Sequence, residues 1–183
     1  MWPVVSRVLR SGGAPSALAD RTVAVLEDWV ARDAPRLDGD LDGNYDDAGP
    51  VISDALWPAV AHAVMQPVYG SLTDHLDDVR SLDGAAGQSY VDKDLRTLLG
   101  DRVNGRLNLS YCGNGSLDAC RASLWAVVEQ VAGELAAAQG PEPASWTGAA
   151  SRTRFTPGLI TDSIRTTNRP TFQQVLELAR EPI

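Results

Sequence analysis

From Ser16 onward Leu18, Val25, Leu26, Trp29 and Val30 recur at helical spacing, with Thr22 in the same register. Ser16 stands where an N-cap belongs and Pro35 follows the last periodic position, so the pattern predicts an amphipathic helix between them. Residues 36–50 are rich in Asp, Gly and Asn and carry no period, which predicts a loop. Val51, Ile52, Leu56, Val60 and Val64 resume the helical spacing, with Ser53 or Asp54 as the cap and Pro58 near the first turn. A second short helix is expected after Pro67, carrying Leu72, Leu76 and Val79.

Residues 83–87, Asp-Gly-Ala-Ala-Gly, predict a flexible break, followed by a short helix around Leu95, Leu98 and Leu99 that Gly100 closes. Leu107 and Leu109 alternate with Asn108 and Ser110 as in a brief strand, and Cys112-Gly113-Asn114-Gly115 makes a turn. Ser116 then caps the longest pattern in the chain. Its Leu117, Cys120, Leu124, Val127, Val128, Val131 and Leu135 hold one face for about five turns.

Residues 139–143 break that helix. From Ser151 the alternation Arg152-Thr153-Arg154-Phe155 predicts short extended segments, with another over 172–178, where Val175, Leu176 and Ala179 would equally fit a helical turn. The chain of 183 residues suffices for one ordinary core. The expectation is a single region, 1–183, mainly α with a few short β-strands: helical over 16–139, irregular with short strands over 140–183.

Sixteen basic against twenty-four acidic residues give a net charge of −8. A surface of that sign repels phosphate backbones and anionic lipid, which argues against nucleic acid and membrane as partners. No apolar run approaches the roughly eighteen residues of a membrane span, and Trp2-Pro3-Val4-Val5 ends at Ser6 and Arg7, short of a secretory signal. An exported protein of this sequence is therefore expected to travel inside a longer precursor, to a periplasmic or extracellular destination.

Asp38, Asp40, Asp42 and Gly43 reproduce the first half of a D-x-D-x-D-G calcium loop, in which alternating short carboxylates converge on a hard cation. Asn44 then offers its backbone carbonyl at the seventh position and Asp46 holds the ninth. The twelfth position, normally a bidentate Glu, is Gly49. Asp47 is the candidate to close a shortened loop, with affinity at the weak end, roughly 10⁻⁴ to 10⁻³ M. A solvated acidic turn is the competing reading.

Cys112 and Cys120 are the only cysteines. In an exported protein they are expected to form a local disulfide, and in a cytosolic one to be two small core residues. His62, between Val60 and Val64, and His75, between Asp74 and Asp77, find no Ser-His-Asp arrangement to serve and are read as structural.

Four segments resemble the C-terminal region of actinobacterial penicillin acylase (penicillin amidase) family proteins: LDGDLDGNYD at 37–46, YVDKDLRTLLG at 90–100, YCGNGS with Cys120-Arg121 and Leu124-Trp125-Ala126 at 111–126, and TNRPTFQQV at 167–175. The resemblance implies the C-terminal part of the second, β subunit of an N-terminal-nucleophile hydrolase, a portion of its αββα fold rather than a complete sandwich. The implied activity is hydrolysis of a side-chain amide in penicillin or an N-acyl substrate. The family's nucleophile is a serine exposed by self-cleavage, its own α-amine acting as base. No position here matches that serine or the oxyanion donors. Gly70-Ser71 and Gly115-Ser116 are the Gly-Ser pairs that would pass for a scissile bond, yet both lead into helical spacing, whereas the family's nucleophile opens a strand. The chain alone is therefore expected to be inactive, with the remainder of the precursor or its other chain as partner. The alternative is a non-catalytic helical calcium-binding or interaction module.

Overall fold

The computed structural model describes residues 1–74, 85–103 and 109–150, with the backbone alone over 85–88, 153–155 and 164–166. The fold is mainly helical: α1 Trp2–Arg10, α2 Ala17–Ala31, α3 Ala48–Tyr69, α4 Ala85–Leu98 and α5 Leu117–Gln139. Single 3-10 turns lie at Cys112–Gly115 and Pro143–Ser145, and strands β1 Thr153–Phe155 and β2 Ile164–Thr166 pair antiparallel with Arg154 opposite Arg165.

The long helices α3 and α5 pack against each other, and α2 lies across both. Ile52, Leu56, Val60 and Val64 of α3 meet Leu124 and Val128 of α5 and Val23 and Leu26 of α2 in one continuous buried cluster. The short α1 adds Val4, Val5, Val8 and Leu9 against α2, α4 and α5. Each such side chain, fully buried, contributes about 1.5–3 kcal/mol.

Three local expectations hold in detail. The Ser16 and Ser116 side chains accept hydrogen bonds from the Ala19 and Ala119 amides, capping α2 and α5. Gly100 is left-handed (φ +78°) just beyond the end of α4. The Thr153–Phe155 strand falls on the predicted alternation.

Other boundaries differ. Helix α1 lies outside the expected helical region 16–139, although Val4, Val5, Val8 and Leu9 carry i, i+4 spacing and Pro3 suits a first helical turn. Helix α3 starts earlier, with Asp47 as the cap accepting from the Gly49 amide at 2.8 Å, so Ser53 and Asp54 are interior. Pro58 and Pro67 lie within it, and it ends at Tyr69; the separate helix expected after Pro67 starts at Leu72, with 72–74 helical and its later positions Leu76 and Val79 outside the described residues. Pro58 and the residue one turn before it, Asp54, are both on the solvent side, where water can satisfy the carbonyl that Pro58 cannot reach. Burial of Trp57, Val60, Ala61 and Val64 then outweighs the missing bond.

Helix α4 begins at Ala85, inside the expected break, and Leu109 is a bend rather than strand. Leu76, Val79, Leu107 and residues 167–183 lie outside the described residues. Among the described residues no helix is long and apolar enough to cross a membrane.

Candidate functional site

The acidic loop between α2 and α3 is held at both ends. At its start, the Arg36 guanidinium stands 5.8 Å from the Trp29 ring centroid and 5.6 Å from that of Tyr45, and pairs with Asp54 at 2.9 Å. That hydrogen bond to Asp54 holds Arg36 above its ordinary pKa. At its end, Asp47 pairs with Arg32 at 2.6 Å while capping α3. The Asp46 amide donates to the Leu37 carbonyl at 3.0 Å, closing the mouth of the loop.

A bridge between Asn44 and Ala149 ties the loop to the segment after α5, through bonds from the Tyr45 amide to the Gly148 carbonyl (3.0 Å) and from the Ala150 amide to the Gly43 carbonyl (2.8 Å). Buried Trp146, whose indole donates to the Gly140 carbonyl at 2.8 Å, anchors that second segment.

Within this frame carboxylate oxygens of Asp38, Asp40 and Asp42 all lie within 4.8 Å of one another. Asp38 is buried and the other two are exposed. Such a set of short carboxylates suits a hard, oxygen-loving divalent cation. The loop also satisfies itself by local turns: Asp40 accepts from the Asp42 amide at 3.2 Å, and Asp42 accepts from the Asn44 amide at 2.7 Å and its side-chain amide at 3.2 Å.

The remaining predicted ligands are used differently. Asp46 turns both carboxylate oxygens to the Gly39 amide, at 3.1 and 3.0 Å. Asp47 belongs to the helix cap and to Arg32. Gly49, at the calcium loop's twelfth position, is buried in the first turn of α3 against Trp29. Three of the six predicted residues therefore come together, Asn44 flanks them, and Asp46 and Asp47 brace the loop.

A second polar center was not singled out by sequence. Asp94, on α4, is fully buried; it accepts from the Tyr111 amide at 3.0 Å and the Cys112 amide at 2.7 Å. Burial pushes its pKa up, opposed by those two hydrogen bonds. Its signal was a carboxylate sharing a helix face with Val91 and Leu95, where a charge requires internal donors. Cys112 and Cys120 form a disulfide across the 3-10 turn, both fully buried.

Ser116 is a helix cap and Ser71 sits in the turn after α3, so neither Gly-Ser pair opens a strand. His62 meets Asp74 at 3.1 Å on the surface, and His75 lies outside the described residues. An apolar cavity of about 290 Å³ between α1 and α2 is lined by Trp2, Val5, Leu9, Val23, Leu26 and Val30. The Ser6 hydroxyl on its wall donates to Glu27, which also pairs with Arg10. Comparison with protein-family models, with curated proteins and with solved structures finds no match.

Proposed function

We propose that this chain is a non-catalytic helical part of a penicillin-acylase-like amidohydrolase, supplying packing around a catalytic center made elsewhere in the precursor or its other chain. The observation that carries the reading is the contact between two of the segments that resemble the family. Asp94, from the segment at 90–100, accepts hydrogen bonds from the Tyr111 and Cys112 amides that open the segment at 111–126. A bracing role for residues of those segments supports a packing part. The use of Ser116 as a cap fits the same reading.

The test has two arms. The coding sequence upstream of Met1 is expected to remain open and to encode a Gly-Ser followed by strand patterning; stop codons close upstream would sink the proposal. Coexpressing that upstream region with this chain is expected to restore hydrolysis of phenylacetyl or other acyl amides.

A second reading concerns the acidic loop and rests on the convergence of Asp38, Asp40 and Asp42. We propose that these carboxylates hold calcium, which would neutralise their mutual repulsion and so stiffen the loop and the 148–150 segment bridged to it. Thermal unfolding with calcium and with a chelator is the test. An unchanged transition at millimolar calcium would count against it.

A further inference from the structure

The buried Asp94 carboxylate takes its two backbone donors from residues at the edge of one small covalent ring. Cys112 supplies one of them, and Tyr111 immediately precedes it. The ring, closed by the Cys112–Cys120 disulfide with the two Cα atoms 5.0 Å apart, contains three successive left-handed residues: Gly113 (φ +57°), Asn114 (φ +51°) and Gly115 (φ +87°). Gly and Asn are the residues that adopt this region most readily, and the turn is tight: a β-carbon at Gly113 would stand 2.4 Å from the Cys120 amide nitrogen. Backbone bonds from Asn114 to Tyr111 and from Ser116 to Gly113 also shape the turn, and the closed ring adds a covalent restraint that helps keep the Cys112 amide, and Tyr111 beside it, where Asp94 needs them.

Helix α4 depends on that arrangement. Its apolar contribution to the core includes Val91 and Leu95, and its contacts are with α1, α3 and the 3-10 turn. Asp94 sits between those two apolar residues, so docking α4 takes a carboxylate out of water and is tolerable only with donors waiting.

We propose that the Cys112–Cys120 disulfide is a redox-sensitive latch for α4: oxidised, it holds the donors that let Asp94 be buried; reduced, it loosens them and α4 opens from the body more often. The reductant is a dithiol. Its first thiolate attacks one sulfur of the pair to give a mixed disulfide, and its second closes the reductant into a cyclic disulfide. Two electrons pass to Cys112 and Cys120, which take up two protons as thiols. Both cysteines are fully buried, so attack requires the turn to open first, and reduction proceeds at a rate set by that opening.

Opening of α4 would also carry Tyr90 away from a neighbouring aromatic pair. Tyr111 stacks on Tyr69 of α3 at 5.9 Å between ring centroids, and Tyr90 on α4 is half exposed in the same neighbourhood.

Amide hydrogen exchange on the full chain tests this in three states: oxidised, treated with dithiothreitol, and as the Cys112→Ser/Cys120→Ser double variant. In the last two, α4 amides are expected to lose protection by about ten- to a hundredfold, the scale of one hydrogen bond to a charged group. The centers of α3 and α5 should change by less than about threefold, as expected for local rather than global opening. Unchanged α4 protection overturns the latch, and so does equal loss across all helices, which would make the disulfide a global stabiliser. Asp94→Asn with the disulfide intact separates the parts further. It keeps one acceptor and places an N–H against an N–H, so it is expected to free α4 without reduction. A protected α4 in that variant also overturns the proposal.

Discussion

Gly49 and Trp29 approach so closely that no side chain fits between them: a β-carbon at position 49 would stand 2.0 Å from Cγ of the indole. The indole is fixed from its other end, its Nε1 donating to the Pro35 carbonyl at 2.8 Å, so it cannot swing aside without losing that bond. Gly49→Ala is therefore expected to destabilise the chain by about 1–3 kcal/mol, the scale of overpacking a filled core. Urea unfolding would read this as a lowered midpoint with unchanged slope. Gly49→Glu, which would restore the calcium loop's missing twelfth ligand, is expected to cost more stability still and to improve calcium binding not at all.

The calcium reading predicts a graded response. With a dissociation constant of roughly 10⁻⁴ to 10⁻³ M, about 10 mM calcium adds about 1.4–2.7 kcal/mol of stability. Asp40→Asn and Asp42→Asn each remove one charge while keeping an oxygen to accept the local turn bond. Each should weaken calcium binding several-fold in titration calorimetry and leave the calcium-free unfolding midpoint nearly unchanged. Asp118→Asn, far along the chain in an exposed pair with Arg121, should bind calcium as the parent does.

The helical framework was legible because its signals are local. Ser16 and Ser116 cap where capping chemistry places them, and the faces of α2 and α5 follow the 3.6-residue period. The errors arose where tertiary contacts override local rules. Pro58 reads as an early-turn residue until the burial of Trp57 and Val60 carries the helix through it. The Gly39 amide and the Arg32 guanidinium that Asp46 and Asp47 meet are likewise invisible to spacing, because only the fold brings them alongside. The Asp94 contact spans seventeen and eighteen residues to its donors, a separation at which periodicity is silent.

Glu27 predicts a pH dependence. Its carboxyl lies below the usual range, chiefly because Arg10 donates to it, with Ser6 adding a second hydrogen bond against the opposing effects of burial and Asp20. A depressed folded-state pKa contributes stability that is present above the unfolded value and lost as pH falls through the folded one. Glu27→Gln is thus expected to be less stable than the parent at neutral pH. The gap should close only below the ordinary Glu range, as measured by unfolding at stepped pH. A gap independent of pH would assign the effect to packing around the cavity instead.

The two Gly-Ser pairs give the last prediction. In the acylase reading the catalytic serine bears a free α-amine at the start of a strand, whereas Ser116 accepts the Ala119 amide at 3.3 Å at the start of α5. Ser116→Ala is expected to cost about 1 kcal/mol as a lost cap. Ser71→Ala should cost less, since no cap bond of comparable kind holds Ser71 among the described interactions. Neither change should alter amide hydrolysis, because the chain alone is expected to show none with phenylacetyl or other acyl amides. Turnover by the purified chain that disappears with either substitution would overturn the non-catalytic assignment and return that serine to the role of nucleophile.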